Sequence, residues 1–105
     1  MLRIYSVALE VARDAAVAAR TIAQRDNDLS RQLRRAAASV PLNLAEGAGV
    51  SGGNRRLRYA TALGSAREVL ACLETAHMMG YCGTVDADTR SRLDHVIGTL
   101  VRIVR

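Results

Sequence analysis

Apolar side chains recur at three- and four-residue steps along the whole chain, and no stretch alternates with the two-residue period of a half-buried strand. Ile4, Val7, Val11, Ala15, Ala18 and Ile22 form the first stripe, which predicts a helix from about residue 2 to residue 24. Asp26, Asn27 and Asp28 interrupt it and supply side chains able to cap the helix that follows. The second stripe is Leu29, Leu33, Ala36, Val40, Leu44 and Gly47. It keeps its phase across Pro41, so one helix is predicted here; the proline removes the bond to the carbonyl of Ala37 and is expected to kink it.

The third segment carries the clearest pattern. Tyr59, Leu63, Ala66, Leu70, Leu73 and His77 alternate four- and three-residue steps, and Ala62, Val69 and Ala76 widen the seam, as in a bundle helix. Gly80 ends it. Thr84 or Asp86 then caps a fourth helix with the stripe Leu93, Val96, Ile97, Leu100, Ile103 and Val104. Four helices with short links in a chain of 105 residues predict one all-α domain over residues 1–105, an antiparallel up-and-down four-helix bundle.

Composition refines this picture. The apolar residues are mainly Ala, Leu and Val, with three Tyr and no Phe or Trp, which suits close helix packing and argues against an aromatic base-stacking platform. Charged residues break up the first helix, so no signal peptide or membrane span is predicted and a cytoplasmic protein is expected. Cys72 and Cys82 stand about 15 Å apart at helical rise, beyond disulfide reach. With only His77 and His95 as companions they do not form a zinc pattern.

Charge is placed rather than spread. Residues 29–58 hold Arg31, Arg34, Arg35, Arg55, Arg56 and Arg58 against the single acid Glu46, an excess that equals the formal net charge of +5. Every basic residue is Arg, the side chain that grips phosphate bidentately. A polyanion is therefore one candidate partner, and solvated helix faces are the plain alternative. If the second and third helices form a hairpin, residues 31–35 lie about 18 to 25 Å from the turn, whereas 55–58 lie beside it, two separate clusters.

Catalytic and cofactor patterns are weak. Gly47, Gly49 and Gly52 spell G-x-G-x-x-G, but a helix leads into them where the dinucleotide fingerprint needs a strand, so they read as helix ends. Glu68 and Glu74 are six apart and share no helix face, and no serine has a histidine at a suggestive spacing. Neither an active site nor a cofactor is predicted.

From residue 32 the sequence resembles something known. The run QLRRAAASVPLNLAEGAG at 32–49 is similar to the signature of the four-helix bundle proteins first known from intervening sequences in bacterial 23S rRNA genes. A second block agrees: ALGSARE at 62–68, then Leu70, Leu73, Gly80 and Tyr81. The resemblance implies a helical protomer that assembles into a ring, typically a homopentamer. It also implies kinship with the accessory protein of diversity-generating retroelements, which binds nucleic acid and a reverse transcriptase through a basic surface. The motif positions carried over are Arg34, Arg35, Ser39, Pro41, Asn43, Glu46, Gly47, Gly49, Gly64, Ser65 and Glu68.

Most of these have an architectural explanation. Asn43 and Glu46 fall where polar side chains can satisfy the carbonyl freed by Pro41 and the chain reversal. Gly64 and Ser65 inside a helix imply a tight helix contact. The chain departs from the family pattern at Val50, where a basic residue is common, at 54–57, where an acid is common, and at 25–28, which replaces a Phe-Pro stretch. Two functional classes follow. One is an oligomeric RNA- or DNA-binding accessory protein using Arg31, Arg34, Arg35, Arg55, Arg56 and Arg58; the other is a structural or protein-interaction ring with those arginines in subunit interfaces.

Overall fold

The sequence's helix signals become four helices over residues 3–105, the part described in the computed structural model: α1 Arg3–Ala23, α2 Asn27–Ala48, α3 Gly52–Met78 and α4 Ala87–Val104. Leu2, expected in the first helix, lies outside the described residues. Among the described residues there is no strand, and no helix is long and apolar enough to cross a membrane. The links 24–26, 49–51 and 79–86 are too short for anything but antiparallel neighbours. α2 packs most widely on α3 and then on α1; α4 closes the ring of helices against α3 and α1, and the diagonal pair α1 and α3 barely touch. The result is a four-helix bundle measuring 42 × 24 × 20 Å.

Local chemistry fixes the helix ends. Asp26 Oδ1 accepts the Leu29 N–H at 2.9 Å, and Asp86 Oδ2 accepts those of Asp88 and Thr89 at 3.1 and 3.3 Å, so α2 and α4 each begin on an aspartate cap. α3 ends in a Schellman arrangement: the Tyr81 N–H reaches the Ala76 carbonyl at 2.9 Å while Gly80 takes φ 80°, the left-handed conformation that favours glycine. α2 runs as one helix through the buried Pro41.

The core follows the predicted stripes with particular shifts. Ala8 and Ala19 are buried on α1, and Val7 and Ala18, one position away, are half-buried, because the contact face turns towards α2 and α4 together. Of the small residues at 15–19, Ala15 and Ala19 go to the core and Ala16 faces outward. Cys72 takes a place on the α3 seam while Leu70 is only half-buried. Ile103, expected in the α4 stripe, is exposed, because the stripe's last buried position is Leu100.

Ser30 is a core residue the apolar stripes could not reveal. Its hydroxyl donates to the Ala19 carbonyl at 2.7 Å, tying α2 to α1 where the side chain is only 1% exposed. The Ser30→Ala variant should lose about 1 kcal/mol of stability, the usual net worth of such a bond, read as a lower urea midpoint at unchanged slope. A second polar tie joins α1 to α4. Asp14 accepts from Arg92 at 2.7 Å and from the buried Thr89 hydroxyl at 3.1 Å. These bonds to Asp14 hold the Arg92 guanidinium still more firmly charged than usual.

Candidate nucleic-acid interface

The six arginines of residues 29–58 fall into three situations. Arg31 and Arg58 are ion-paired, to Asp28 and Glu46 respectively, both at 3.0 Å. Arg55 is tied to the backbone: its Nε–H is shared between the carbonyls of Val50 at 2.8 Å and Gly47 at 3.2 Å, at the end of α2. Carbonyls in the last turn lack helical partners, and a cation there also suits the helix dipole, so Arg55 stabilises the α2–α3 turn. Arg34, Arg35 and Arg56 are exposed, and among the described residues no carboxylate lies within ion-pair distance of them.

The two clusters are less separate than helical spacing suggests. Arg35 and Arg58 line one shallow groove of about 420 Å³ over the α2–α3 seam, and Arg35 also lines a neighbouring groove with Arg31, Gln32 and Glu68. Arg34 faces the other way, into a small recess with Ala12, Ala16, Ala37 and Ala38 between α1 and α2.

The polar motif residues meet in the α2–α3 seam. Ser39 and Ser65 share a hydrogen bond at 2.7 Å, and the Asn43 amide donates to both the Ser39 hydroxyl at 3.0 Å and the Ser39 carbonyl at 2.9 Å. Gln32 donates to Glu68 at 3.2 Å. This corrects two expectations. The Asn43 side chain serves Ser39 rather than the carbonyl freed by Pro41, and Glu46 spends its carboxylate on Arg58. Gly64 is corrected too: it is exposed, and a Cβ placed on it would meet nothing within 4 Å. Among the described residues no tight contact accounts for a glycine there.

The glycine motif resolves into packing. Gly47 is buried beneath the Tyr59 ring, where a Cβ would stand 2.8 Å from Tyr59 Cδ1, and Gly49 caps α2. Gly52 opens α3 at φ 63°. Each glycine therefore has a place in the hairpin between two helices.

Other chemistry is sparse. Burial pushes the Cys72 thiol up, with the Glu68 charge adding to it, and burial does the same to Cys82, so both favour the protonated form over the thiolate. Among the described residues no group of His, Cys, Asp and Glu is arranged to hold a metal ion. A cavity of about 370 Å³ opens beneath the link 79–86, walled by Val17, Leu73 and Val85. The carboxylates at its rim, Asp14 and Asp86, are already engaged by Arg92, Thr89 and helix N–H groups.

Set against known proteins, residues 1–102 match the family model described as 23S rRNA-intervening sequence protein. No curated protein and no solved structure matches the chain.

Proposed function

The chain belongs to the 23S rRNA-intervening sequence protein family, and from that premise we propose that it is a non-enzymatic, oligomeric nucleic-acid-binding accessory protein. The observation that carries the reading is the set of exposed guanidiniums with no acidic partner among the described residues, Arg34, Arg35 and Arg56, in a chain of net charge +5. Such groups gain by meeting phosphates, because each contact releases condensed counterions from the nucleic acid. Arg31 and Arg58 contribute less, being already paired with Asp28 and Glu46. With only three Tyr and no Phe or Trp, binding rests on phosphate contact and shows little dependence on sequence.

Self-association is part of the same proposal. Gly64 stands on the outer face of α3 in register with exposed Leu57, Ala71 and Met78, at seven-residue intervals. A mid-helix glycine costs about 1 kcal/mol relative to Ala, and one that nothing in the protomer approaches suits the close approach of a second subunit. A homopentameric ring, as the family resemblance implies, would repeat the arginines around its circumference and multiply weak phosphate contacts. The same assembly could serve as the platform for a protein partner such as a reverse transcriptase, working in the cytoplasm.

Native mass spectrometry with a short RNA and a short DNA, at low and moderate salt, tests this reading. An oligomer that takes up nucleic acid and releases it as salt rises is the expected result. If the arginines instead serve subunit interfaces, charge reversal at Arg34 or Arg35 will break the oligomer, and no nucleic acid will be retained at low salt.

A further inference from the structure

The face of α3 that turns away from the bundle carries size and charge in a pattern that this chain does not use. Gly64, Ala71 and Met78 follow one line along the helix, and Met78 is 83% exposed. A Cβ on Gly64 would meet nothing within 4 Å, so the glycine leaves an open notch one heptad below Ala71 and the methionine stands proud one heptad above it.

Polar side chains flank that line on both sides. At 3.6 residues per turn Arg67 and Glu74 stand on one flank, Glu68 and Thr75 on the other, and all four are exposed. Among the described residues Arg67 has no carboxylate within ion-pair distance and Glu68 no guanidinium; Glu68 accepts only from Gln32. Glu74 reaches Arg90 at 3.6 Å, but Arg90 lies equally close to Asp94, so that pair can be given up at little cost.

We infer that the outer face of α3 is a docking surface for a second copy of this chain, laid antiparallel across it with Ala71 facing Ala71. The inference rests on the self-association reading above and gives it a surface. The contact is isologous, so it closes at two copies, and a ring requires a further, head-to-tail surface.

Size and charge set the same register. A two-fold axis at Ala71 places residues seven before it opposite residues seven after it, so each Met78 lies over the other copy's Gly64 and fills the notch. The axis also keeps each flank against its own counterpart. Arg67, four residues before Ala71, then stands within about 1.5 Å along the helix of the second copy's Glu74, three residues after it, and Glu68 stands likewise beside Thr75. Each of these pairs forms twice, and each matches a cation or a hydroxyl with a carboxylate.

Other arrangements fit less well. An axis between residues 67 and 68 sets the two Arg67 side chains against each other. An axis at Gly64 faces Arg67 with Ala60 and carries Met78 past the start of the other α3. Parallel helices would put glycine on glycine while Met78 on Met78 holds them apart, with their dipoles aligned unfavourably.

Disulfide trapping in the full chain tests the contact. Ala71→Cys and Gly64→Cys both change exposed positions, so neither disturbs the core. In the docked pair the two copies of residue 71 come within disulfide reach, whereas those of residue 64 stand about 21 Å apart. Under mild oxidation Ala71→Cys should give covalent dimer in a yield about ten-fold above that of Gly64→Cys or of the unaltered chain, whose Cys72 is buried and Cys82 half-buried. Sedimentation equilibrium supplies the second arm. Arg67→Glu should weaken self-association about ten-fold by setting like charges together, and adding Glu74→Arg should restore it. Cross-linking of both cysteine variants, cross-linking of neither in a protein that self-associates, or failure of Glu74→Arg to rescue would overturn the inference while leaving self-association intact. A chain that stays monomeric at every concentration, with no cross-link through residue 71, would overturn the self-association reading with it.

Discussion

Gly47→Val should destabilise the protein by about 3 kcal/mol, the upper part of the range for overpacking a tight core. Gly47 sits on the face of α2 that meets α3, and its missing side chain is what admits the Tyr59 ring. An added Cβ would run into Cε1 and stand 2.8 Å from Cδ1, atoms in the body of the ring rather than at a flexible tip. Tyr59 is only 6% exposed and has no free space to retreat into without opening the α2–α3 seam. Alanine is the milder case, because replacing a helical glycine gains about 1 kcal/mol of propensity that offsets part of the clash. A thermal midpoint lowered by about 10 °C or more for valine, with alanine intermediate, is the expected pattern. Combining Gly47→Val with Tyr59→Leu should cost less than the sum of the two, since removing the ring removes the clash. Additive losses would show that the ring does not set the requirement for glycine.

Neutralising Arg34, Arg35 and Arg56 together as Gln should weaken nucleic-acid binding on the order of 100-fold at 0.1 M salt. The size follows from counterion release, in which each duplex phosphate contact contributes about eight-fold at that concentration, reduced here because exposed guanidiniums sample other positions. Glutamine keeps helix propensity and the start of the aliphatic stem, so the fold should not change. The same change at Arg55 should act differently. Its Nε–H holds the Gly47 and Val50 carbonyls, and losing it should lower stability more than affinity, measured by urea midpoint and binding side by side.

The helices were readable in the sequence because their stripes are long and in phase. The caps were readable because aspartate before an apolar repeat has one common use, and Asp26 and Asp86 both take it. What escaped were residues whose role depends on a neighbour far along the chain. Ser30 looks like a surface serine until α1 brings the Ala19 carbonyl beside it. Asp14 and Arg92 are ordinary surface charges until α4 closes on α1.

At the candidate site the sequence located the arginines but could not divide them. Pairing with Asp28 and Glu46, or with the turn's carbonyls, is decided by rotamers and by helix register. The motif residues Ser39, Asn43, Glu46, Ser65 and Glu68 were legible individually as polar positions on helices. Their convergence on one seam depended on the register between α2 and α3, which Ser39 with Ser65 and Glu46 with Arg58 now define. Gly64 pointed to a close contact that the described residues do not contain, and helical spacing alone could not show that its face of α3 is left open.

The most direct measurement is a salt titration of nucleic-acid affinity for the unaltered protein beside the Arg34, Arg35 and Arg56 triple Gln variant, on one duplex. The arginine-phosphate account predicts a steep linear fall of log affinity with log salt for the unaltered protein, and a slope shallower by about 0.9 for each phosphate that the variant no longer neutralises. Parallel lines of equal slope, or no measurable binding by the unaltered protein at low salt, would contradict it.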